Sequence, residues 1–523
     1  MAAPRDDWQR LARLMTVPRP LRKHLLCIIP WFLRSRILSL NMDSDIPTLL
    51  YFSQVKDDAS AIKWAHATNS LEDLEDVLKD NGVHMIEADV MLRGQGTPTQ
   101  SLIPVMAQYP STDSESILEE WLDIFLKSEG KGLKLDFQST DAVEISLQKL
   151  KDRKEKLRMP VWLHADVLQG PHGGKPKVDA TRFIRTVNRL FPKCTLSLGW
   201  TTGRHTDLSQ SGYTWEMVLD MYYLVRKWEL EPPIVFVARA NLIRNSVPQL
   251  KWLIDNTRSS VLIWNPPSDT AHGTDLVYIA YKFPPDNSYF DLNSDDLETF
   301  LKEYRHFSKE KLQHIVLQRE TVMFRPEAWV KMGLHMEEHS ILPSTEALVL
   351  TKSLVYIVTK SKFKPKSMIQ LRGRVQFIDR EQKKAVPGET GLSIYVRPTA
   401  YVDYERIVGI KVFLGVDGLM KVSGSHLEVK NFEESQRITP SSVNCFRFRV
   451  IDTGSEIIFR VNVLHECNTL ESTKQEETIH AELKVPLPED IGFEEHPFIL
   501  KLEDSNRVAV FDELDTKYSI STL

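Results

Sequence analysis

Cysteine is scarce, with four in 523 residues, at positions 27, 194, 445 and 467. So few, so scattered, exclude a disulfide framework and a cysteine-based zinc site. Cys445–Cys467 is the one conceivable bridge, and buried free thiols are the simpler reading. No Asn-x-Ser/Thr sequon occurs, which disfavours a glycosylated secreted protein. Long apolar runs are also lacking. Leu25–Leu33 is about nine residues long, against the roughly 20 needed to span a bilayer, so no transmembrane segment is expected. Nor does one sign of charge dominate: 66 Lys+Arg against 71 Asp+Glu leave a net charge of −5, which points away from a nucleic-acid partner. What remains is an ordinary globular composition, 42% hydrophobic and 26% charged. It excludes collagen-like, disordered and multi-span membrane chains.

The near-neutral total conceals an asymmetry. Residues 1–40 carry eight basic side chains against Asp6 and Asp7, so this segment is +6 and the remainder −11. A secretory signal would run basic, apolar, then small. Here Arg34 and Arg36 follow the apolar stretch, and an Arg-rich mitochondrial presequence fits comparably well. Residues 1–55 therefore read as a basic and apolar leader, poorly ordered. A cytoplasmic location is the remaining alternative.

From about residue 60 to 280, short apolar runs alternate with amphipathic helical ones. The expected strands are Ile62–His66, Val83–Val90, Ile103–Ala107, Gly132–Phe137, Val161–Asp166, Thr195–Gly199, Ile234–Ala238 and Val261–Trp264. The clearest helices are Ser70–Asp80, Ser114–Ser128, Asp141–Lys156, Asp179–Leu190, Tyr213–Lys227, Val247–Thr257 and His272–Tyr281. Eight such units predict a parallel (β/α)8 TIM-like barrel over 56–285. A bridge follows over 286–345, with a helix at Ser294–Phe307. After about 345 the period changes to two, as in Phe446/Phe448/Val450 and Phe459/Val461/Val463. Turn signals such as Pro387-Gly388 and Asp417-Gly418 intervene. This predicts an antiparallel β-sandwich of jelly-roll type over 346–523.

The chemistry is suggested by charge inside apolar strands. In Ile86-Glu87-Ala88-Asp89 the acids are two apart and share one face. Lys134 and Asp136 repeat the arrangement in the fourth strand, and His164 and Asp166 in the fifth. His66 closes the first. In a parallel barrel these strand ends form the functional face. Clustered buried carboxylates demand a cation or matched bases. Three of them, Glu87, Asp89 and Asp136, offer only oxygen and suit Mg²⁺ or Ca²⁺ rather than zinc. Solvent-facing acids, a structural Lys134–Asp136 ion pair and a hydrogen-bonded core His164 are the alternatives.

Several stretches together resemble the menorin family: Trp64-Ala65-His66-Ala67-x-Asn69-Ser70, Ile86-Glu87-Ala88-Asp89-Val90 and Lys131–Phe137. His164-Ala165-Asp166-Val167-Leu168-x-Gly170-Pro171 and Ser197-Leu198-Gly199-Trp200-Thr201-Thr202 extend the likeness, which covers about residues 60–280. That family resembles the phospholipase-C-like phosphodiesterases, which are (β/α)8 barrels. The resemblance implies that His66 acts in acid/base catalysis, that Glu87, Asp89 and Asp136 hold a divalent metal, and that Lys134 contacts phosphate. Asp166, Trp200 and Arg239 are the expected substrate contacts. One departure stands out. In Val105-Met106-Ala107-Gln108-Tyr109-Pro110, the second histidine of the superfamily falls on Gln108. Glutamine exchanges no proton near neutral pH, and His164 is the candidate to replace it. Two functions follow. One is a binding or interaction protein with weak or no catalysis; the other is a metal-dependent phosphodiesterase acting on a glycerophosphodiester or lysophospholipid. The partners implied are a phosphodiester or lipid-headgroup ligand and a protein bound through the β-sandwich, in an extracellular setting by family resemblance.

Overall fold

The computed structural model describes residues 46–203, 212–306 and 325–519, except 267, 270, 334–339, 354, 365–367, 381–385, 403–405, 426–431, 466, 468–479, 489–494 and 504–505. The Arg-rich part of the leader lies outside the described residues.

The first unit is built on a parallel sheet. Its strands are β1 (Trp64–Ala65), β2 (Met85–Leu92), β4 (Gly132–Phe137), β5 (Val161–Gln169), β6 (Thr195–Thr201), β7 (Ile234–Arg239), β8 (Ser260–Trp264) and β9 (Ser288–Asp291), hydrogen-bonded in that order. β2 is buried at every position, as expected of a strand covered on both faces. On one face of the sheet, residues such as Ile86, Leu133, Leu163 and Phe236 pack under the helices. The opposite faces of β2, β5, β7, β8 and β9 send Met85, Trp162, Val235, Leu262 and Tyr289 into a separate interior cluster. Helices alternate with the strands; Leu71–Lys79 begins at Ser70, whose side chain accepts from the Asp73 amide.

Two expectations about this unit are corrected. The run at 103–107 is not a barrel strand: β3 (Pro104–Met106) pairs antiparallel with β2 and stands off the main path. The eighth parallel strand is β9, inside the stretch read as a bridge. Both runs are short and apolar, and periodicity alone does not tell a parallel strand from a hairpin arm. The sheet also stays nearly rather than fully closed, since its order runs open from β1 to β9. Its lower end is plugged by residues 46–62. Phe52, Ala59 and Ile62 join the interior cluster, and Thr48 Oγ1 accepts a hydrogen bond from Trp162 Nε1 at 2.9 Å.

The jelly-roll expectation is also overturned. The second unit is two seven-stranded antiparallel sheets. One runs β10 (Trp329–Gly333), β13 (Val355–Thr359), β22 (Ile499–Leu502), β15 (Gly391–Val402), β16 (Arg406–Gly415), β17 (Leu419–Ser425) and β18 (Glu433–Arg437). The other runs β11 (Ile341–Pro343), β12 (Leu348–Leu350), β23 (Arg507–Ser519), β14 (Met368–Asp379), β19 (Cys445–Asp452), β20 (Glu456–Leu464) and β21 (Ala481–Pro486). A jelly roll has eight strands in two Greek keys. Here β15 to β18 and β19 to β21 pair with their sequence neighbours, and β10 and β11 come from the expected bridge. Period-two patterning says which face of a strand is apolar; it does not say which sheet the strand joins. The inward faces of both sheets share one core, including Ile357, Leu371, Ile394, Val412, Phe448 and Phe511. Cys445 and Cys467 form a disulfide closing 22 residues, against the simpler reading of free thiols.

The units meet over apolar surface. Leu342, Val349, Ile378 and Val510 of the second sheet join the core beneath the first unit's helices. Trp252 Nε1 donates to the Leu342 carbonyl at 2.9 Å, and Gln376 Nε2 to Glu216 Oε1 at 2.9 Å.

Candidate metal centre

Following the interior faces of β2, β5 and β9 upward, apolar residues give way to ionisable ones: Met85 to Glu87 and Asp89, Trp162 to His164 and Asp166, Tyr289 to Asp291. The two-residue period of a strand puts each series on one face, and the shared strand direction puts all the ionisable ends at one mouth. Parallel register sets Asp89 beside Asp136, and Asp136 beside His164. One carboxylate oxygen each of Glu87, Asp89 and Asp136 lies within 4.8 Å of the others. Glu87, Asp89, Lys134, His164 and Asp291 are all buried.

The loop after β1 wraps over these carboxylates. Ala67, at φ 51°, donates its amide to Glu87 Oε2 at 2.6 Å. Asn69 makes a two-way contact with Asp89: its Nδ2 donates to Oδ2 at 2.9 Å, and its Oδ1 accepts from the Asp89 amide at 2.8 Å. Gln138 Nε2 donates to the other oxygen, Oδ1, at 2.7 Å. His66 Nδ1 lies 3.0 Å from Asp291 Oδ2 and 3.5 Å from Glu87 Oε2. The His66 ring stacks on Trp264, 15° from parallel.

Electrostatics follow from this crowding. Burial, then the neighbouring Glu87 and Asp136, push the Asp89 carboxyl well above its ordinary range. Burial raises Asp136 to about 6, with His164 and Lys134 pulling the other way. Burial disfavours charge on His66, yet Glu87 and Asp291 more than offset it and hold the imidazole at about 10. Burial also opposes the Lys134 charge, and Glu87, Asp136, Asp291 and Asp89 together keep it raised. His164 goes the other way, lowered by burial to about 4, so it is neutral near pH 7. Its Nδ1 shares a hydrogen bond with Ser197 Oγ at 3.0 Å. Its Nε2 faces Asp136 at 4.0 Å and Asp166 at 3.6 Å. Asp166 is raised by burial to about 7. Gly199 is needed beside this pair, because a Cβ there would sit 2.2 Å from Asp166 Oδ1.

Three expected contacts are placed elsewhere or otherwise engaged. Trp200 is buried against Tyr213 and Phe236 and belongs to the layer under the helices, not to the mouth. Arg239 reaches the mouth, but its guanidinium is held by both oxygens of Asp269 at 2.6 Å and by the Gly203 carbonyl at 2.8 Å. Gln108 follows the antiparallel β3 and is exposed. The sequence reading missed Asp291, Asn69 in its contact with Asp89, and Gln138. Asp291 carried the same signal as Asp89, an acid ending a short apolar run; the run itself went unrecognised as a strand.

The donor set suits a hard divalent cation: three converging carboxylates, no sulfur, and mutual repulsion that a cation would relieve. Glu87, Asp89 and Asp136 would hold it. Such an ion would supply charge neutralisation for an anionic ligand.

Residues 58–297 match the Menorin N-terminal domain and residues 346–496 the Menorin C-terminal domain. Human Protein FAM151B is 41% identical over 237 residues, which is 45% of this chain and 84% of that protein. Among solved structures, a functionally unknown protein from Saccharomyces cerevisiae is 10% identical, covering 37% of this chain and 98% of that one, with a TM-score of 0.24. The exoplasmic/lumenal domain of VIP36 is 10% identical, covering 38% and 86%, with a TM-score of 0.27. Likenesses this slight carry no argument about fold or ligand.

Proposed function

The chain belongs to the menorin family, and from that premise we propose that the mouth of its parallel sheet is a divalent-cation site that binds a phosphodiester or lipid headgroup with weak or no turnover. The observation that carries the reading is the convergence of Glu87, Asp89 and Asp136 within 4.8 Å, beside buried Lys134. With a cation held by the carboxylates, Lys134 is placed to offset charge on a phosphate oxygen. His66 binds from the seam between β1 and β9. Its Nδ1 is engaged by Asp291, so exchange of a proton with a ligand falls to Nε2. Weak turnover is expected because the position of the superfamily's second histidine is filled by a glutamine. Gln108 has no titratable group, and His164 is held neutral with its Nδ1 on Ser197. Efficient cleavage of a phosphodiester needs one group to take a proton and another to give one. The Cys445–Cys467 disulfide supports an extracellular, oxidising setting.

One observation favours the second reading, an active phosphodiesterase. The 3.0 Å contact between His66 and Asp291 fixes the orientation of the imidazole, as acid/base catalysis requires. Calorimetry with Mg²⁺ and Ca²⁺, followed by incubation with glycerophosphodiesters and lysophospholipids, decides the matter. Cation binding without turnover is the expected result. Turnover lost in both His66→Ala and Glu87→Ala would establish the enzyme instead, and absence of cation binding would overturn both readings.

A further inference from the structure

The longest uncharged run in the sequence, the 19 residues from Gly94 to Thr112, starts at the rim of the mouth. β2 outruns its parallel neighbour: β4 pairs with it as far as Val90, and β3 takes over across Val90–Leu92. The hairpin that joins β2 to β3, residues 93–103, therefore projects past the strand ends that carry Asp89 and Asp136. In a chain that is 26% charged, a projecting segment with no ionisable group beyond Arg93 needs a reason, and Arg93 itself is tied to Asp113 at 2.9 Å.

The hairpin is inverted relative to a solvated turn, with polar groups engaged internally and apolar ones left outside. Pro98 has no N–H, and every other backbone N–H from Arg93 to Ser101 is bonded within the protein, the Gly96 amide to Gln100 Oε1 at 2.8 Å among them. Thr97 Oγ1 donates to the Gly94 carbonyl at 2.6 Å, and Ser139 Oγ donates to Gln95 Oε1 at 2.9 Å, which ties the hairpin to the turn after β4. Gly94 sits at φ 67°, where a Cβ would meet the Thr99 carbonyl oxygen at 3.0 Å. The Arg93 amide donates to the Ile103 carbonyl and the Arg93 carbonyl accepts from the Ser101 amide, each at 2.9 Å. Leu102 is left between those two bonds, 73% exposed, and Ile103 is 42% exposed. Among the described residues no other two exposed large apolar side chains are neighbours in sequence. At the base of β3, Tyr109 packs against the cluster of Met91, Val105 and Ala107. Lys177 Nζ lies 2.8 Å from the centre of the Tyr109 ring, and Lys175 and Lys177 are both exposed.

We propose that Leu102 and Ile103 anchor the mouth on a lipid bilayer surface. The inference rests on the headgroup reading of the mouth, because the hairpin projects on the side from which a headgroup reaches the carboxylates. A segment enters the boundary between headgroups and acyl chains at low cost only if it brings no uncompensated charge and few unbonded backbone groups. Residues 94–103 meet both conditions. A loop that docks on a protein draws specificity from charged and polar groups on its surface, whereas this one has its polar groups turned inward. Lys175 and Lys177, joined to the base of the hairpin through Tyr109, stand where lipid phosphates would lie.

The test is sedimentation of the full chain with vesicles of phosphatidylcholine and phosphatidylserine in the presence of Mg²⁺. The parent chain should sediment with them. The double variant Leu102→Ser/Ile103→Ser should partition at least about tenfold more weakly, with unchanged melting temperature and unchanged calorimetric Mg²⁺ affinity, since both side chains lie outside the core. Leu102→Trp should tighten partitioning, a gain that misfolding cannot produce. Tyr281→Ser, at another exposed apolar site on the helix Gly273–Lys282, should leave it unchanged. Equal sedimentation of the double variant, or no tightening by Leu102→Trp, overturns the proposal. Absence of vesicle binding by the parent chain overturns it in favour of a protein partner for the apolar pair. Calorimetry with soluble glycerophosphocholine reports the headgroup reading by itself. If that ligand binds and vesicles do not, the docking surface fails and the mouth reading survives. If sedimentation depends on the hairpin and the soluble ligand does not bind, the mouth reading fails and the docking surface stands.

Discussion

His66 Nδ1 and Asp291 Oδ2, 225 residues apart in sequence, lie 3.0 Å apart across the open seam between the first and last strands of the parallel sheet. The backbone ladder does not join β1 to β9, so this side-chain contact ties the two ends of the sheet together at the mouth. It also charges the imidazole. A histidine at about 10 is protonated throughout the physiological range, against an ordinary value near 6.5.

The pair has a defined pH signature. The folded-state pKa of His66 is raised, so its contribution to stability is fully present below about 6.5 and disappears as pH rises through about 10. Asp291→Asn removes one of the two carboxylates holding the proton. The imidazole NMR titration of the cation-free protein should then move toward neutrality by at least about one unit. An unmoved titration would show that Glu87 alone sustains the charge.

Each of Glu87→Gln, Asp89→Asn and Asp136→Asn removes one of three carboxylates. Calorimetric Mg²⁺ or Ca²⁺ affinity should fall by at least about tenfold in each. Thermal stability without added cation should hold or rise in Asp89→Asn and Asp136→Asn, which relieve crowding among buried acids, whereas Glu87→Gln also gives up the ion pair with His66. Loss of stability in all three, at unchanged affinity, would make the cluster structural.

Asn69 and Gln138 fix opposite oxygens of Asp89. Gln138→Glu keeps the shape and removes the donor, so it should weaken cation affinity by about 10–100-fold, as lost outer contacts do elsewhere. Asn69→Ala should act in the same direction. If affinity survives in both, Asp89 does not depend on these amides for its orientation.

The disulfide closes 22 residues. Loop-closure entropy assigns such a crosslink about 3 kcal/mol. Cys445→Ser should lower the denaturant midpoint of the second unit accordingly, and reductant should reproduce the effect in the parent chain. A midpoint insensitive to both would mean that the thiols are free in solution.

Trp252 is fully buried between the two units and donates to the Leu342 carbonyl. Trp252→Ala should cost about 3–5 kcal/mol. It should also split a shared melting transition into two, read by calorimetry, if the interface couples the units.

Much of this was legible in one dimension. The helix read at Val247–Thr257 appears with those bounds, and seven of the eight parallel strands were found from their apolar runs. The acids two apart in Glu87-Ala88-Asp89 announced a shared face because strand periodicity is local. Trp200 failed for the same reason in reverse. It follows Gly199 by one residue, and a single step along a strand turns the side chain from mouth to helix layer. Arg239 stands at the strand end as read, yet Asp269, thirty residues on, engages its charge, and no local pattern encodes that.

The sequence by itself determined where strands and helices form, which strand faces carry charge, and that three carboxylates and a lysine share a set of strand ends. Those are consequences of backbone geometry within a few residues. Tertiary structure alone decided that β3 leaves the parallel sheet, that β9 completes it with Asp291, that fourteen strands divide into two sheets, and that the first cysteine reading gives way to a disulfide. Each of these depends on which distant segment is nearest after folding. The near-neutral charge was likewise only a total. Register set Arg372, Arg449 and Arg460 side by side across β14, β19 and β20, and Asp89, Asp136 and His164 side by side across β2, β4 and β5, because strand pairing, not composition, sets which charges stand next to one another.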